Sequence, residues 1–239
     1  MQALGAASLL ALWERGATRH ALDRSALLAA AARPDWPADS VVDQPLGAIN
    51  DSLLRLRAAS FGPHIDGHVD CPQCSQRQAF ALDTQTLLQA AGDGAAPPLA
   101  GEAVEVAGLR VRVPSLRDLA AVAGEADAAH AARALLARCT LAGDASRLDA
   151  QALARVEAAL EQLDPLADLA LALQCADCGH AASAQLDPGV LLWDALQARA
   201  QALLAEVHHL ASAYGWTEEQ VLALGPTRRA RYLAMVGVP

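Results

Sequence analysis

Two short stretches, Cys71-Pro72-Gln73-Cys74 and Cys175-Ala176-Asp177-Cys178, constrain this chain more than any other feature. A C-x-x-C spacing turns both sulfurs toward one point, and two such pairs supply the four thiolates that tetrahedral zinc prefers. Four soft ligands leave no open coordination position, so the expected site is a structural Zn2+ and not a centre that activates water. Two disulfides or four unligated thiols are the alternatives. Nothing in the sequence suggests export, and a reducing cytosol disfavours disulfides.

The flanks repeat together with the cysteines. The shift that carries Cys71 onto Cys175, 104 positions (175 − 71), also carries Leu82-Asp83 onto Leu186-Asp187 and Leu87-Leu88 onto Leu191-Leu192. Val69 falls on Leu173, and Ala79-Phe80-Ala81-Leu82 on Ser183-Ala184-Gln185-Leu186. Each copy predicts strand, knuckle, strand, then helix. The expected element is a zinc ribbon assembled from two half-units that flank a helical insert. A metal that closes so long a loop, bound with on the order of 10 kcal/mol, would rival the whole stability of a domain. His64, His68 and His180 stand near the knuckles and could replace a cysteine as ligand, but four cysteines suffice. Cys139 lies in the apolar run 134–139 and reads as a small core residue.

Alanine and leucine dominate, 54% of residues are hydrophobic and only 3% are aromatic, which favours close-packed helices as the bulk of the structure. The predicted fold is mainly α with a small antiparallel β zinc-ribbon-like element, α+β overall. Three regions are expected: 1–63, an N-terminal helical region; 64–192, the split ribbon with a β-hairpin and helical insert; and 193–239, a C-terminal helical region. In the first, helices are expected from about Gln2 to Arg15, from an N-cap at Asp23 to Ala32, and from Leu46 to about Ser60. In the second, the segment 91–98 reads as a flexible surface loop. A hairpin is expected at 104–106 and 111–113, extending the ribbon sheet. A capping box at Ser115 and Asp118 follows, with helices at about 126–142, 147–162 and 164–172. Pro188 opens the longest helix, which runs to Tyr214. Thr217 with Gln220 caps a short one, and Gly225-Pro226 precedes the last.

A net charge of −9 and a pI near 5.1 argue against a nucleic-acid partner, because binding phosphates needs a basic surface. The apolar run Leu4 to Trp13 has no basic leader and is too short to span a bilayer, so neither an export signal nor a membrane anchor is expected. The expected location is the cytoplasm. No H-E-x-x-H, Walker loop or G-x-G-x-x-G occurs, and the neighbouring His208 and His209 would point about 100° apart on a helix. Neither catalysis nor a small-molecule substrate is expected.

The C-terminal third carries a further pattern: Glu206-Val207-His208-His209-Leu210-Ala211, then Tyr214-Gly215-Trp216-Thr217-Glu218-Glu219-Gln220-Val221-Leu222-Ala223-Leu224, then Arg228-Arg229-Ala230-Arg231-Tyr232-Leu233. It resembles a pattern in baseplate-associated proteins of contractile-tailed bacteriophages and related contractile injection systems. Leu54-Arg55-Leu56-Arg57 with Phe61-Gly62-Pro63, the two knuckles, and Ser115-Leu116-Arg117-Asp118-Leu119-Ala120 are similar to versions of that family with paired C-x-x-C motifs. The likeness covers most of the chain. The second knuckle departs from the usual C-P-x-C form at Ala176, where proline would stiffen the turn without being a ligand. The resemblance implies an accessory or assembly protein of the baseplate or its hub, which binds other baseplate or tail proteins, has no reaction of its own, and can end up in a phage-tail-like particle. A zinc-ribbon nucleic-acid-binding or transcription-associated protein is the alternative.

Trp216, Arg228, Arg229, Arg231 and Tyr232 are the residue types that concentrate binding energy at interfaces, and the two terminal helices could present them as a partner-binding surface. The competing use is structural, with Trp216 and Tyr232 closing the core and the arginines forming a solvated face.

Overall fold

The computed structural model of the chain describes residues 2–90 and 97–237. Helices α1 (Ala6–Gly16), α2 (Ala21–Ala32), α3 (Leu46–Phe61) and α8 (Pro188–Tyr214) form the main body. Their leucine stripes meet in one core that includes Leu28, Ile49, Leu53, Leu192, Leu196 and Leu203. Helices from both ends of the sequence therefore share a single hydrophobic centre. Gly16 allows the closest approach of α1 to α8, because a Cβ there would run into the Trp193 ring. The Arg24 guanidinium lies over that ring at 4.5 Å.

Two of the early boundaries differ from the sequence reading. α1 begins at Ala6, and the N-cap of α2 is His20, whose Nδ1 accepts from the Leu22 N–H, while Asp23 sits in the first turn. The acidic side chain still favours the positive helix end, so either residue satisfies the same physical need. α3 stops where expected, at Gly62 with φ of 90°.

Each cysteine pair sits at the tip of an antiparallel hairpin. In the first, β1 (His64–Asp70) pairs with β2 (Arg77–Asp83) and leads into α4 (Thr84–Ala90). In the second, β6 (Leu169–Gln174) pairs with β7 (Ala181–Leu186) and leads into α8. The order is the expected strand, knuckle, strand, helix in both copies. Asp83 accepts from the Gln85 N–H, and Asp187 accepts from Gly189 and Val190, so the same aspartate starts each helix.

The expected helix at 164–172 is absent. Leu169, Leu171 and Leu173 are half-buried while Ala170, Ala172 and Gln174 are exposed, a two-residue period that belongs to a strand. The segment before it is pinned to α3. Buried Asp164 accepts from the Gly47 N–H at 3.0 Å, and the Asn50 amide donates to the Leu166 carbonyl at 2.8 Å.

The insert has its own small sheet. β3 (Ala103–Val106), β4 (Leu109–Arg112) and β5 (Thr140–Ala142) make three antiparallel strands, separate from both hairpins, so the expected extension of a ribbon sheet by the 104–113 hairpin does not occur. Ala107 and Gly108 both take positive φ, 52° and 77°, the pair of values a tight hairpin turn requires. α5 (Leu116–Val122) carries the expected capping box. α6 (Ala128–Cys139) ends three residues early because Thr140 to Ala142 become β5. α7 (Ala150–Leu163) lies against β3, and Leu109, Val111, Cys139 and Val156 form a second, smaller core. The segment 91–98, read as a loop, lies mostly outside the described residues, and Pro97 and Pro98 are in no helix or strand.

α8, with 27 residues, is the longest helix and ends at left-handed Gly215. The Thr217–Gln220 capping box opens α9 (Glu218–Leu222), and Pro226 opens α10 (Pro226–Met235). Among the described residues no helix is long and apolar enough to cross a membrane.

Candidate metal centre

The two knuckles have the same backbone. Cys71 N–H donates to the Gln76 carbonyl at 2.9 Å and Ser75 N–H to the Cys71 carbonyl at 2.8 Å. Cys175 and His180, and Gly179 and Cys175, repeat those bonds at 2.9 Å each. The shared turn needs a left-handed residue, and Ser75 (φ 58°) and Gly179 (φ 72°) supply it at equivalent positions. The proline present in one knuckle and absent from the other has no effect on this pattern.

The hairpins bring their tips together. The Sγ atoms of Cys71 and Cys178 lie 3.7 Å apart and those of Cys74 and Cys175 3.6 Å apart. All four sulfurs fall within 4.8 Å of one another, which makes them a set that could hold one metal ion. Cys71 and Cys175 are buried, and Cys74 and Cys178 face outward. Gln78 ties one hairpin to the other, since its Oε1 accepts from the Ala176 N–H at 3.1 Å and its Nε2 donates to Asp177 at 3.4 Å. Behind the sulfurs a cavity of about 210 Å3 separates the facing sides of the hairpins, with Val69 on one wall and Leu173 on the other.

The thiols of the cluster shift one another's protonation. The N–H groups of Cys74 and Gln73 point at the Cys71 sulfur and bring its pKa down to about 7. Cys74 and Cys178 also receive backbone N–H groups, from Gln76 and His180. Both are nonetheless pushed up, Cys74 to about 12 chiefly by the Cys178 thiol and by burial, and Cys178 by burial first and then by the Cys175 and Cys71 thiols. Several thiolates so close together repel one another unless a positive ion shares them.

His64 is exposed and lies 3.5 Å from Asp83, and neither it nor His68 nor His180 joins the four-sulfur set. Cys139 lies away from it, buried beside Arg112, and burial pushes its thiol up to about 11.

The five residues read as a partner surface divide between two roles. Arg229 is buried; its Nε donates to Glu206, and its Nη1 donates to the Leu224 carbonyl. Arg199 holds the other Glu206 oxygen at 2.6 Å. Arg229 thus fastens α10 to α8 and is not open to a partner. Arg228 and Arg231 are exposed. Trp216 and Tyr232 are half-buried and meet edge to face at 4.9 Å, with Tyr214 stacked on Trp216 at 4.7 Å.

Two features escape the sequence, one at the cysteine cluster and one at the candidate surface. Gln78 corresponds to Ala182 in the repeat, so the alignment of copies gives no sign of its bridging role. Tyr214, at the end of α8, joins an aromatic trio through folding alone. No protein-family model, no curated protein and no solved structure matches this chain.

Proposed function

We propose that the protein is a non-catalytic structural or assembly component of the baseplate of a contractile, phage-tail-like injection system, built on a zinc-stapled scaffold and acting by protein–protein binding. The observation that carries the scaffold is the convergence of Cys71, Cys74, Cys175 and Cys178 from two distant hairpins. Four thiolates select a soft tetrahedral ion. Zinc–sulfur bonds of about 2.3 Å place ligands about 3.8 Å apart, close to the 3.6 and 3.7 Å between sulfurs here. With all four positions taken by the protein, a bound Zn2+ supplies cross-linking and no chemistry. The two hairpins then form the halves of one zinc ribbon.

The baseplate assignment rests on the resemblance of the C-terminal run, the knuckles and the Ser115–Ala120 segment to the family with paired C-x-x-C motifs. Its physical counterpart is α10, which carries the exposed Arg228 and Arg231 and the half-buried Tyr232, against which Trp216 packs. Native mass spectrometry tests the scaffold, with one zinc per chain expected. Co-purification with sheath, tube and spike proteins from the same genome tests the assignment. Failure to bind any tail component, with the metal in place, removes the assignment and leaves the scaffold standing.

A further inference from the structure

The four sulfurs make two close contacts, and both cross from one hairpin to the other: Cys71 with Cys178 at 3.7 Å, and Cys74 with Cys175 at 3.6 Å. Each contact joins a buried cysteine to an exposed one, since Cys71 and Cys175 are buried while Cys74 and Cys178 face outward. A soluble oxidant therefore meets one member of each pair, and the other member lies against it as a resolving thiol. In that arrangement an oxidised cysteine passes directly to a disulfide.

The surroundings favour bonds between the hairpins over bonds within a knuckle. In the first knuckle the N–H groups of Cys74 and Gln73 are aimed at the Cys71 sulfur, and Ser75 N–H closes the turn on the Cys71 carbonyl. The second knuckle closes in the same way through Gly179 and Cys175. A Cys71–Cys74 bond swings the Cys71 sulfur off those donors. Drawing the tips together disturbs less: Gln78 already ties the hairpins through Ala176 and Asp177, and the cavity of about 210 Å3 behind the sulfurs leaves room for closure.

We infer that the cluster is also a site of reversible oxidation, at which a hydroperoxide converts the four thiols into two inter-hairpin disulfides, Cys71–Cys178 and Cys74–Cys175, so that the hairpins stay joined without a metal. The inference rests on the reading of these cysteines as the clasp of the scaffold. In each pair the outward sulfur, as thiolate, attacks the peroxide: an S–O bond forms, the O–O bond breaks, and the departing hydroxide takes up a proton to become water. The buried sulfur, as thiolate, then attacks the sulfenic sulfur. An S–S bond forms, the S–O bond breaks, and the oxygen leaves as a second water after protonation. Each disulfide thus consumes one peroxide, and a Zn2+ left without thiolate ligands departs as the aqueous ion. The bonded positions stand 107 and 101 residues apart, the long spans over which a disulfide restrains the unfolded chain most.

The test treats the zinc-loaded full-length protein with hydrogen peroxide, blocks the remaining thiols, and maps cross-links by tandem mass spectrometry of the unreduced digest. A coloured chelator reads the zinc released. The expected result is the two stated disulfides, two peroxides consumed per zinc, buried Cys139 still a thiol, and zinc bound again after dithiothreitol. The oxidised, metal-free chain is expected to melt about 10 °C above the reduced, metal-free chain. Disulfides confined within the knuckles, the opposite pairing, links between chains, sulfinic acids without cross-links, or thiols that survive the peroxide each overturn the inference. A chain that binds zinc and forms no inter-hairpin bond loses this inference and keeps its scaffold. One that forms both bonds and never binds zinc keeps the inference and loses the zinc reading.

Discussion

The sulfur of Cys74 lies 3.6 Å from that of Cys175, 101 positions further along the chain. The insert between the two has its own core, and the core of the helical body does not include the hairpin tips. The tips are where a bound ion adds most and where its loss removes most. Chelation, or replacement of Cys74 or Cys175 by serine, is therefore expected to loosen 64–83 and 169–186 while α1, α2, α3 and α8 keep their packing. Amide exchange is expected to show protection lost in the hairpins and retained at Leu192 to Leu203. Loss of about 5 kcal/mol or more of stability in the hairpin unit is consistent with structural metal sites.

Metal uptake is expected to release protons. Cys74 and Cys178 are held above the ordinary thiol range by burial and by neighbouring thiols, so at pH 7 both carry a proton that a metal must displace, whereas Cys71, drawn down to about 7, gives up its proton most readily. Calorimetric titration of metal into the reduced apo-protein, in buffers of different ionisation enthalpy, is expected to show at least two protons released per ion. Affinity then falls as pH falls. A proton count near zero would mean the thiols were already ionised.

Asp118 holds the insert together. Burial alone would raise its pKa, but the Arg112 guanidinium, bonded to both oxygens at 2.7 and 2.9 Å, and the Ser115 hydroxyl and N–H hold the carboxyl well below the usual range. Arg138 adds a third partner at 3.3 Å. A depressed carboxyl contributes stability that is present above the unfolded pKa, about 3.9, and is lost as pH falls through the lower folded value. Asp118→Asn leaves Arg112 without its partner and is expected to cost roughly 3 kcal/mol by urea unfolding at pH 7, with a smaller cost in acid.

Asp164 shows the opposite sign. Burial raises its pKa, the Gly47 N–H opposes that only in part, and its Oδ1 is buried without a partner. A raised carboxyl contributes most when protonated, so this contribution is complete below the unfolded pKa and declines as pH rises through the folded value. Asp164→Asn keeps an acceptor for Gly47 and is expected to remove that decline, leaving stability at pH 7 equal to wild type or about 1 kcal/mol higher. Gly47→Ala, whose Cβ would run into the carboxylate, is expected to destabilise at every pH.

The repeat made the hairpins legible, because a knuckle with matched flanks has few ways to fold. Capping boxes at Ser115 and Thr217 and the glycine stops at Gly62 and Gly215 were legible for the same reason, as local chemistry with local consequences. Leu169 to Gln174 misled because alternating leucine and alanine satisfies helix propensity while its two-residue period satisfies a strand, and pairing with β7 decides between them. The separation of the insert sheet from the two cysteine hairpins depends on tertiary packing, which no local pattern encodes. Arg229 is the instructive case at the candidate surface. Its neighbours in sequence are exposed arginines, and only the position of Glu206 one helix away draws it inward.

That contrast separates stability from binding. Arg229→Ala removes a buried guanidinium from Glu206, which retains Arg199, so the expected cost is about 2 kcal/mol, focused on the docking of α10 against α8. Arg228→Glu and Arg231→Glu change exposed side chains and are expected to shift stability by no more than about 0.5 kcal/mol. If α10 is the partner surface, the double reversal lowers capture of tail proteins by tenfold or more, about 1.4 kcal/mol, while the melting temperature stays at the wild-type value. Full capture by the R228E/R231E protein would take the two exposed arginines out of partner binding and leave the aromatic trio of Tyr214, Trp216 and Tyr232 as a packing feature. Reduced capture by Arg229→Ala alone, with a lowered melting temperature, would instead show that α10 must be docked for the surface to form.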